Sequence, residues 1–480
     1  MKSYNYKYPP TIKYCEELKI KGKKRKMKGI DVEYINREID NINWDFKGEN
    51  TQYLTHTFHS YPARFIPQIP REFIRILNFT IKKPIFDPFC GCGTTLVEAK
   101  LAGKDSVGSD MNPLAVLITK VKVTPIEPKL LNTETKELLK NIKRVIVREK
   151  SKVRSLLDFT ENIEVEGKKY YIPPLPERNV RTKFTPEIKR ELAIIKSYID
   201  EIKDQDIRDF CYVCFSSTIR TIISSRSRHK LDVFKIFSSK LNSMIKNMSQ
   251  FFYKCDKSAK AIVCQRDARN LKLKIVENDP DIPFEDESFD LIITSPPYVN
   301  ALEYYREHMY NMVWLGMNWK LFKKAEIGGH SHFIQNRFRL LSEYLADMIR
   351  SFNEMSRLLA FNKFCIVVIG SSTVEDELIE TYKHLIKIGE LVGLSFQKLV
   401  TRNIAVERKY TSKSIGKINE EQIIIFRKLK QAEISEAEII DFVRNTLRNM
   451  KVKNKNLAKL KEAIDKVAED CMFRPIIQFK

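Results

Sequence analysis

The chain has 480 residues, 43% of them hydrophobic, and carries 84 Lys and Arg against 61 Asp and Glu, which gives a net charge of +23. This length and composition allow a large core and more than one domain, and the positive charge favours a polyanionic partner, most commonly nucleic acid. The nine cysteines lack the spacing of a disulfide framework, and no apolar stretch approaches the roughly 20 residues that span a bilayer. We therefore expect a cytoplasmic protein that is neither exported nor inserted into a membrane.

Residues 1–43 form a polar and basic N-terminal segment, in which Lys19–Gly29 (KIKGKKRKMKG) carries seven positive charges. A solvated tail and an arm that contacts phosphates both remain open. The character changes at Trp44, where aromatic residues, His56, His59 and several prolines precede the first strand. The prolines argue against a helix that would present the two histidines to a metal, so we expect a loop that faces a ligand.

The next segment, Pro84–Ala99 (PIFDPFCGCGTTLVEA), has the pattern of a short strand, a glycine-rich turn and a helix. Gly91 and Gly93 allow backbone N–H groups to approach a ligand closely, and the absence of a Gly-Lys-Ser/Thr ending excludes a P-loop. The second short strand ends at Asp110, where Rossmann-type sites place an acid that accepts hydrogen bonds from ribose hydroxyls. The pattern predicts a nucleoside-bearing ligand without a pyrophosphate.

The alternation of strands and helices stops between residues 127 and 259, where charged amphipathic helices predict an inserted helical subdomain. One helix begins after Thr185, with Pro186 at its first position. The pair Cys211 and Cys214 lies in an apolar helical run without a second pair, so we predict core packing and no metal site. A basic turn of the insert is a candidate for contact with nucleic acid, and its members are Arg226, Arg228, His229 and Lys230.

The sheet resumes at Lys260–Gln265, and a buried strand at Phe289–Thr294 leads directly into Ser295–Tyr298 (SPPY). The two prolines have no N–H, so the carbonyls of this turn are available as acceptors at the carboxyl end of a strand, where open α/β sheets bind ligands. Further helices are predicted at residues 302–315, 338–359 and 376–392, and further strands at 364–372, 394–404 and 422–428. The alternation predicts an α/β fold with a doubly wound, mostly parallel, Rossmann-like sheet.

Together these motifs resemble the amino-group DNA methyltransferases, the adenine-N6/cytosine-N4 family that depends on S-adenosylmethionine. The resemblance covers about residues 44–428 and depends on four motifs in order, with the segment His59–Phe65 (HSYPARF) as a further likeness. It implies a cofactor-binding half at 44–126, possible target recognition by the insert at 127–259, a catalytic half at 260–428 and a helical C-terminal segment at 429–480.

The resemblance also implies roles for individual residues. It implies cofactor binding by Tyr61, Phe65, Asp87, Pro88, Phe89, Gly91, Gly93, Thr94, Asp110, Met111, Asn112, Asp267 and Ala268. It implies catalysis by Ser295, Pro296, Pro297 and Tyr298. Ser295 and a turn carbonyl are expected to accept the two N–H groups of an exocyclic amine, while Tyr298 stacks on a base flipped out of double-stranded DNA. The basic turn of the insert is then expected to contact this DNA.

Within the family, a serine at the first position of this turn accompanies cytosine more often than adenine. We therefore expect methylation of cytosine N4, within a restriction–modification system whose endonuclease is encoded separately. Three alternatives stay open: an N6-adenine DNA methyltransferase, an RNA guanine-N2 methyltransferase with a similar Pro-Pro-Tyr turn, and a nucleic-acid-binding protein without catalytic activity.

Overall fold

The computed structural model describes residues 32–151, 162–165, 168–176, 184–225, 231–276, 279–282, 284–300, 303–329, 333–404 and 419–472. Lys19–Gly29 and the basic turn with Arg226, Arg228, His229 and Lys230 lie outside these residues. Their proposed contacts with nucleic acid therefore stay predictions.

The N-terminal part of the fold contains the first two strands and the helices next to them in the sequence. Its elements are α1 Val32–Asp40, a 3-10 turn at Leu54–Thr57, α2 Gln68–Leu77, β1 Ile85–Asp87, α3 Thr94–Leu101, β2 Ser106–Ser109 and α4 Pro113–Val123. The start of α4 is determined locally, because the Asn112 side chain accepts the N–H of Leu114 at 3.0 Å and Pro113 needs no N–H partner at the first helical position. As predicted, β1 therefore leads into a glycine-rich turn and a helix.

The insert is mainly helical, with α5 Pro128–Ser151, β3 Asn162–Val165, β4 Lys168–Tyr171, α6 Pro186–Asp200, α7 Gln205–Ser224 and α8 Val233–Lys254. The antiparallel hairpin of β3 and β4 was not predicted. Thr185 caps α6 as expected, and Cys211 and Cys214 are fully buried. A single hydrophobic cluster joins Leu96 on α3 and Ile118 on α4 to the insert helices. The insert therefore packs on the cofactor-binding half.

The remaining elements complete the sheet and add a helical C-terminal layer. They are β5 Ala261–Cys264, β6 Phe289–Thr294, α9 Tyr304–Trp314, α10 Trp319–Ala325, α11 Arg337–Leu358, β7 Leu359–Gly370, β8 Ser372–Val374, β9 Glu377–Ile379, α12 Thr381–Leu391, β10 Leu394–Asn403, β11 Glu420–Lys428, α13 Glu436–Arg448, α14 Leu457–Asp465 and α15 Val467–Asp470. The predicted start of a helix at residue 376 was wrong, because β8 and β9 form a hairpin there. The strand predicted from residue 364 begins at Leu359, immediately after α11.

The main sheet has seven described strands in the order β10-β11-β7-β6-β1-β2-β5. The strands from β5 to β7 run parallel, and β11 lies antiparallel to both of its neighbours. Separate hydrophobic clusters cover the sheet, and β6 is buried along its whole length. The predicted α/β, Rossmann-like fold with a mostly parallel sheet is confirmed. Among the described helices, none has the length and apolarity needed to cross a bilayer.

Candidate active site

A cleft opens at the carboxyl edge of the parallel strands, the edge at which open α/β sheets bind ligands. Its walls come from the segment before β1, the glycine loop, the ends of β2 and β5, the turn after β6 and the region of α9 and α10. The predicted residues that line it are Tyr61, Phe65, Pro88, Phe89, Gly91, Thr94, Asp110, Met111, Asp267, Ala268, Ser295 and Pro297. The fold therefore brings both ends of the predicted site into one cleft.

The glycine-loop end of the cleft is organised around the carboxylate of Asp110. Its Oδ2 accepts the N–H of Gly91 at 2.9 Å, and its Oδ1 accepts the N–H of Asn112 at 2.8 Å. Gly91 has φ +49°, and a Cβ there would lie 3.3 Å from the ring of Tyr61. Burial raises the pKa of Asp110 to about 6, although these backbone hydrogen bonds oppose the increase.

Five predicted site residues are not on the cleft wall: Asp87, Gly93, Asn112, Pro296 and Tyr298. Asp87 is buried and joins two strand ends, because its Oδ1 accepts the hydroxyl of Thr294 at 2.7 Å and the N–H of Phe89 at 3.2 Å. Burial raises the pKa of Asp87 to about 7. Gly93, with φ +77°, precedes α3, and a Cβ there would lie only 2.6 Å from Cγ2 of Thr119. Asp87 and Gly93 therefore shape the glycine loop from the side that faces away from the cleft.

Asp267 lines the cleft, and its carboxylate already forms an ion pair. The guanidinium of Arg269 donates to its Oδ1 at 2.9 Å and to its Oδ2 at 2.7 Å. Arg269 also donates to Asp347 on α11 at 2.9 Å and to the carbonyl of Ala325 at 3.3 Å. One guanidinium thus serves two carboxylates, and it joins the end of β5 to α10 and α11.

The turn Ser295–Tyr298 forms the opposite end of the cleft and is held by side chains distant in sequence. The hydroxyl of Tyr344 on α11 donates to the carbonyl of Pro297 at 3.1 Å. The hydroxyl of Tyr298 donates to Oε1 of Glu421 at the start of β11, at 3.3 Å. Gly328, with φ +69°, packs close behind, since a Cβ there would lie 3.1 Å from the ring of Tyr344. Ser295 and Pro297 are thus presented to the cleft by a braced turn.

Several known proteins are similar to this chain in sequence. Residues 2–121 match the N6/N4 family model described as DNA methylase. The type II methyltransferase M.MvaI of Kocuria varians is 30% identical over 292 residues, which are 56% of this chain and 58% of that protein, so the chain spans under two thirds of this relative. M.MjaII of Methanocaldococcus jannaschii is 22% identical over 467 residues, covering 79% of this chain and 84% of that protein.

By sequence, the chain resembles amino-group DNA methyltransferases. Among solved structures, the rRNA methyltransferase aviRa of Streptomyces viridochromogenes covers 84% of this chain and 97% of its own length, at 9% identity and a TM-score of 0.30. A TM-score of this size carries no argument about function. The family model and the type II relatives support an amino-group DNA methyltransferase and leave open which base it modifies.

Several wall residues were not predicted from the sequence. Five of them follow the SPPY turn and have no motif of their own. They are Tyr304, Phe322, Ala325, Glu326 and Ile327, with Cys90, Cys92, Pro62, Ala63 and Arg266 from the quoted motifs or their flanks. Oε1 of Glu326 accepts the N–H of Tyr304 at 2.5 Å, which places a carboxylate at the N-terminus of α9. The aromatic residues of α9, Tyr304, Tyr305, Tyr310 and Trp314, were a signal that could have pointed to Tyr304.

Arg64 also lines the cleft and brings a positive charge to the glycine-loop end, where its Nη1 donates to the carbonyl of His56 at 2.8 Å. Behind the loop, the fully buried ammonium of Lys122 donates to the carbonyl of Cys92 at 2.9 Å, and burial lowers the pKa of Lys122 to about 8. Burial alone would raise the pKa of the Cys92 thiol, but the charges of Lys122 and Arg64 leave it lowered. This end of the cleft therefore suits an anionic group.

The two histidines that precede the cleft do not face it. Nε2 of His56 lies 2.8 Å from Oε1 of buried Glu98, and Nε2 of His59 lies 3.0 Å from the hydroxyl of Ser216 on α7. Both rings are buried, whereas Tyr61, Arg64 and Phe65 of the same segment line the cleft, so the loop faces the cleft as expected and its two histidines point away from it. They join the segment before β1 to α3 and to the insert. Among the described residues, no cluster of three or more His, Cys, Asp or Glu is arranged to hold a metal ion.

Proposed function

We propose that the protein is an S-adenosylmethionine-dependent DNA methyltransferase that acts on the exocyclic amine of a flipped-out base. The observation that carries the proposal is the shared cleft, which has Gly91 and Asp110 at one end and Ser295 and Pro297 at the other. A donor held at the first end and an amine held at the second meet in one cleft. Bringing two reactants together in this way removes much of the entropic barrier of a bimolecular reaction.

The residues of the cleft fit S-adenosylmethionine. A side chain at Gly91 would approach the Tyr61 ring closely, so the bare backbone there leaves room for a ligand. Asp110 would accept the ribose hydroxyls, and Met111, Asp267 and Ala268 would surround the adenine. Arg64 would pair with the carboxylate of the amino-acid end. The cofactor supplies an electrophilic methyl group on a sulfonium.

The SPPY turn would orient the amine that accepts this methyl group. An exocyclic amine is conjugated with its ring, and its lone pair becomes available when acceptors hold its N–H bonds so that the nitrogen becomes pyramidal. The hydroxyl of Ser295 and a carbonyl of the turn are suitable acceptors. The Pro297 carbonyl already accepts the hydroxyl of Tyr344, which holds the turn in place for this task. Stacking of Tyr298 on the base stays a prediction, because its ring is not on the cleft wall.

Double-stranded DNA is the proposed substrate, and cytosine N4 is the proposed target. The net charge of +23 supports affinity for phosphates that does not depend on sequence, and the target base must leave the duplex to reach the cleft. Ser295 favours cytosine over adenine by resemblance to the family. The type II names of the relatives support a place in a restriction–modification system with a separate endonuclease.

Mass spectrometry of nucleosides tests the proposal. Unmodified double-stranded DNA is incubated with the protein and S-adenosylmethionine carrying a labelled methyl group, and total RNA is treated in parallel. Labelled N4-methylcytosine is the expected product. N6-methyladenine alone would overturn the base assignment, label in RNA alone would favour the guanine-N2 alternative, and no label in either would favour a binding protein.

A further inference from the structure

Three acidic side chains are among the described residues that line the cleft: Asp110, Asp267 and Glu326. Both oxygens of Asp110 accept backbone N–H groups at the glycine-loop end, and both oxygens of Asp267 accept the guanidinium of Arg269. Glu326 is buried as well, with only 6% of its surface exposed. Of these three carboxylates, Glu326 is the one that the proposed binding of the cofactor does not use.

The backbone that carries Glu326 runs past the SPPY turn. Two residues after Glu326, the carbonyl of Gly328 accepts the N–H of Asn300 at 3.4 Å. A Cβ on Gly328 would lie 3.6 Å from the carbonyl oxygen of Tyr298, so the two segments are in contact. Glu326 therefore lines the cleft at the end that the SPPY turn forms, where the target amine is expected.

The start of α9 holds the side chain of Glu326 in place and favours its negative charge. Oε1 of Glu326 accepts the N–H of Tyr304, the first residue of this helix, at 2.5 Å. The N-terminus of a helix carries a partial positive charge, which stabilises a carboxylate beside it. The two oxygens of a carboxylate offer roughly four lone-pair sites, so acceptance of this one N–H does not fill it.

Methylation of an exocyclic amine releases a proton, and this proton needs an acceptor. As the new N–C bond forms, the C–S bond of the sulfonium breaks and its electron pair stays on sulfur. The nitrogen then carries a positive charge until one N–H bond breaks and returns its electron pair to nitrogen. The hydroxyl of Ser295 and a turn carbonyl can hold the N–H bonds, but they are neutral and become strong acids once protonated. A carboxylate can keep the proton, because a carboxylic acid is a weak acid.

We propose that Glu326 is a further catalytic residue, which accepts the proton that the target amine loses. The proton passes from nitrogen to the Glu326 carboxylate, which becomes a neutral carboxylic acid and returns the proton to water after the product leaves. The positive charge of the sulfonium and the negative charge of the carboxylate are thus lost together. This inference rests on the proposed function, and it holds for cytosine N4 and adenine N6 alike, because each amine loses one proton.

Glu326→Gln tests the proposal, with Glu303→Gln as the matched control. Gln keeps the size of the side chain and an oxygen that accepts the N–H of Tyr304, but it cannot keep a proton. Glu303 directly precedes the same helix, pairs with Arg306 at 2.7 Å and is not among the described residues that line the cleft.

The rate of methyl transfer is measured in a single turnover with unmodified double-stranded DNA and labelled S-adenosylmethionine. Glu326→Gln should be about a hundredfold slower than the wild type, at the low end for general acid–base catalysis, because water can replace the carboxylate. Glu303→Gln should keep the wild-type rate. A wild-type rate for Glu326→Gln would overturn the proposal.

Chemical rescue separates proton acceptance from a structural role. Formate, a small carboxylate, should restore the rate of Glu326→Ala in proportion to its concentration, with the ionic strength held constant by sodium chloride because DNA binding depends on salt. Formamide has nearly the same size and also accepts hydrogen bonds, but it cannot keep a proton and should leave the rate unchanged. Equal rescue by the two compounds would show that Glu326 only fills space and holds α9, which would overturn the proposal.

Binding measurements without reaction complete the test. The cofactor Kd by calorimetry and the affinity for a labelled duplex by fluorescence anisotropy should be the same in the wild type and in Glu326→Gln. A loss of cofactor affinity in proportion to the rate would make Glu326 a binding residue and overturn the inference. If the wild type labels neither DNA nor RNA, the proposed function itself fails. If the wild type labels DNA and Glu326→Gln does so at the same rate, only the role of Glu326 fails.

Discussion

The two ends of the cleft are held together in different ways. At the glycine-loop end, Asp110 bonds the N–H groups of Gly91 and Asn112, which are 19 and 2 residues away. At the other end, the SPPY turn is held by Tyr344, which lies 47 residues from Pro297 in the sequence, and by Glu421, which lies 123 residues from Tyr298. The first end is built by backbone groups of neighbouring loops, and the second by side chains from other layers of the fold.

This difference predicts that cofactor binding and methyl transfer can be lost separately, by substitutions at opposite ends of the cleft. Damage to the glycine-loop end should remove cofactor binding, because the loop backbone itself forms that wall. Damage to the turn should slow methyl transfer while the cofactor still binds, because Ser295 and Pro297 lie at the opposite end of the cleft. The following substitutions test this separation, from the largest expected effect to the smallest.

Replacement of Ser295 by Ala should have the largest effect on activity. Removal of one well-placed hydrogen-bonding group from an active site costs about a hundredfold to a thousandfold in rate. We expect this loss in single-turnover methylation, with an unchanged cofactor Kd by calorimetry. Ser239→Ala, on the exposed face of α8, is the control for surface substitution. Reduced cofactor affinity in Ser295→Ala would mean that the two ends are coupled.

The glycine-loop end can be tested with Gly93→Ala and the matched control Gly48→Ala. Both residues have positive φ, +77° and +81°, but a Cβ at Gly93 would lie 2.6 Å from Thr119 and a Cβ at Gly48 would contact nothing within 4 Å. Gly48→Ala should cost only the backbone penalty of about 1 to 2 kcal/mol. Gly93→Ala should cost about 2 to 4 kcal/mol of unfolding free energy in denaturant titrations and should also lose cofactor binding. Equal losses of unfolding free energy in the two variants would show that the glycine loop accommodates the added Cβ without strain.

Asp110 should make cofactor affinity depend on pH. Ribose hydroxyls donate to the ionised carboxylate, and the pKa of Asp110 in the folded protein is raised to about 6 by burial. Affinity should therefore be highest above pH 6 and should fall as the pH drops through this value. Asp110→Asn should bind about 1 to 3 kcal/mol more weakly at neutral pH and lose the pH dependence. Calorimetry at several pH values measures both, and a pH-dependent Asp110→Asn would assign the titration to another group.

The basic turn of the insert should contribute to DNA binding and not to the cleft. Replacement of its four residues, Arg226, Arg228, His229 and Lys230, should reduce the slope of log affinity for DNA against log salt, because fewer counterions are released. Cofactor affinity should stay at the wild-type value. Fluorescence anisotropy with a labelled duplex at several salt concentrations measures the slope, and an unchanged slope would assign these residues a structural role.

The smallest expected effect is that of Tyr344→Phe. The substitution keeps the buried ring and removes the hydroxyl that donates to the Pro297 carbonyl. Loss of this hydrogen bond should cost about 1 kcal/mol, which corresponds to a decrease of a few fold in the methylation rate. A larger decrease, with the thermal stability unchanged, would show that the Pro297 carbonyl contacts the target amine directly.

The glycine-loop end was largely predictable from sequence, because its geometry arises within single turns. Glycines at residues 91 and 93 permit positive φ, and an acid at the end of the following strand lies beside them in a parallel pair. The position of Ser295 was also predictable, because it directly follows a buried strand and is followed by two prolines. Most of the predicted cofactor-side residues do line the cleft.

The tertiary structure alone decided the partners of these residues. Strand order and the antiparallel course of β11 bring Glu421 to Tyr298, and the position of α11 brings Tyr344 to Pro297. Arg269 contacts both Asp267 and Asp347, because the packing of α11 brings Asp347 to the end of β5. A local pattern of glycine and proline determines backbone conformation over a few residues. A contact between side chains distant in sequence depends on how whole strands and helices pack, and no short motif encodes that.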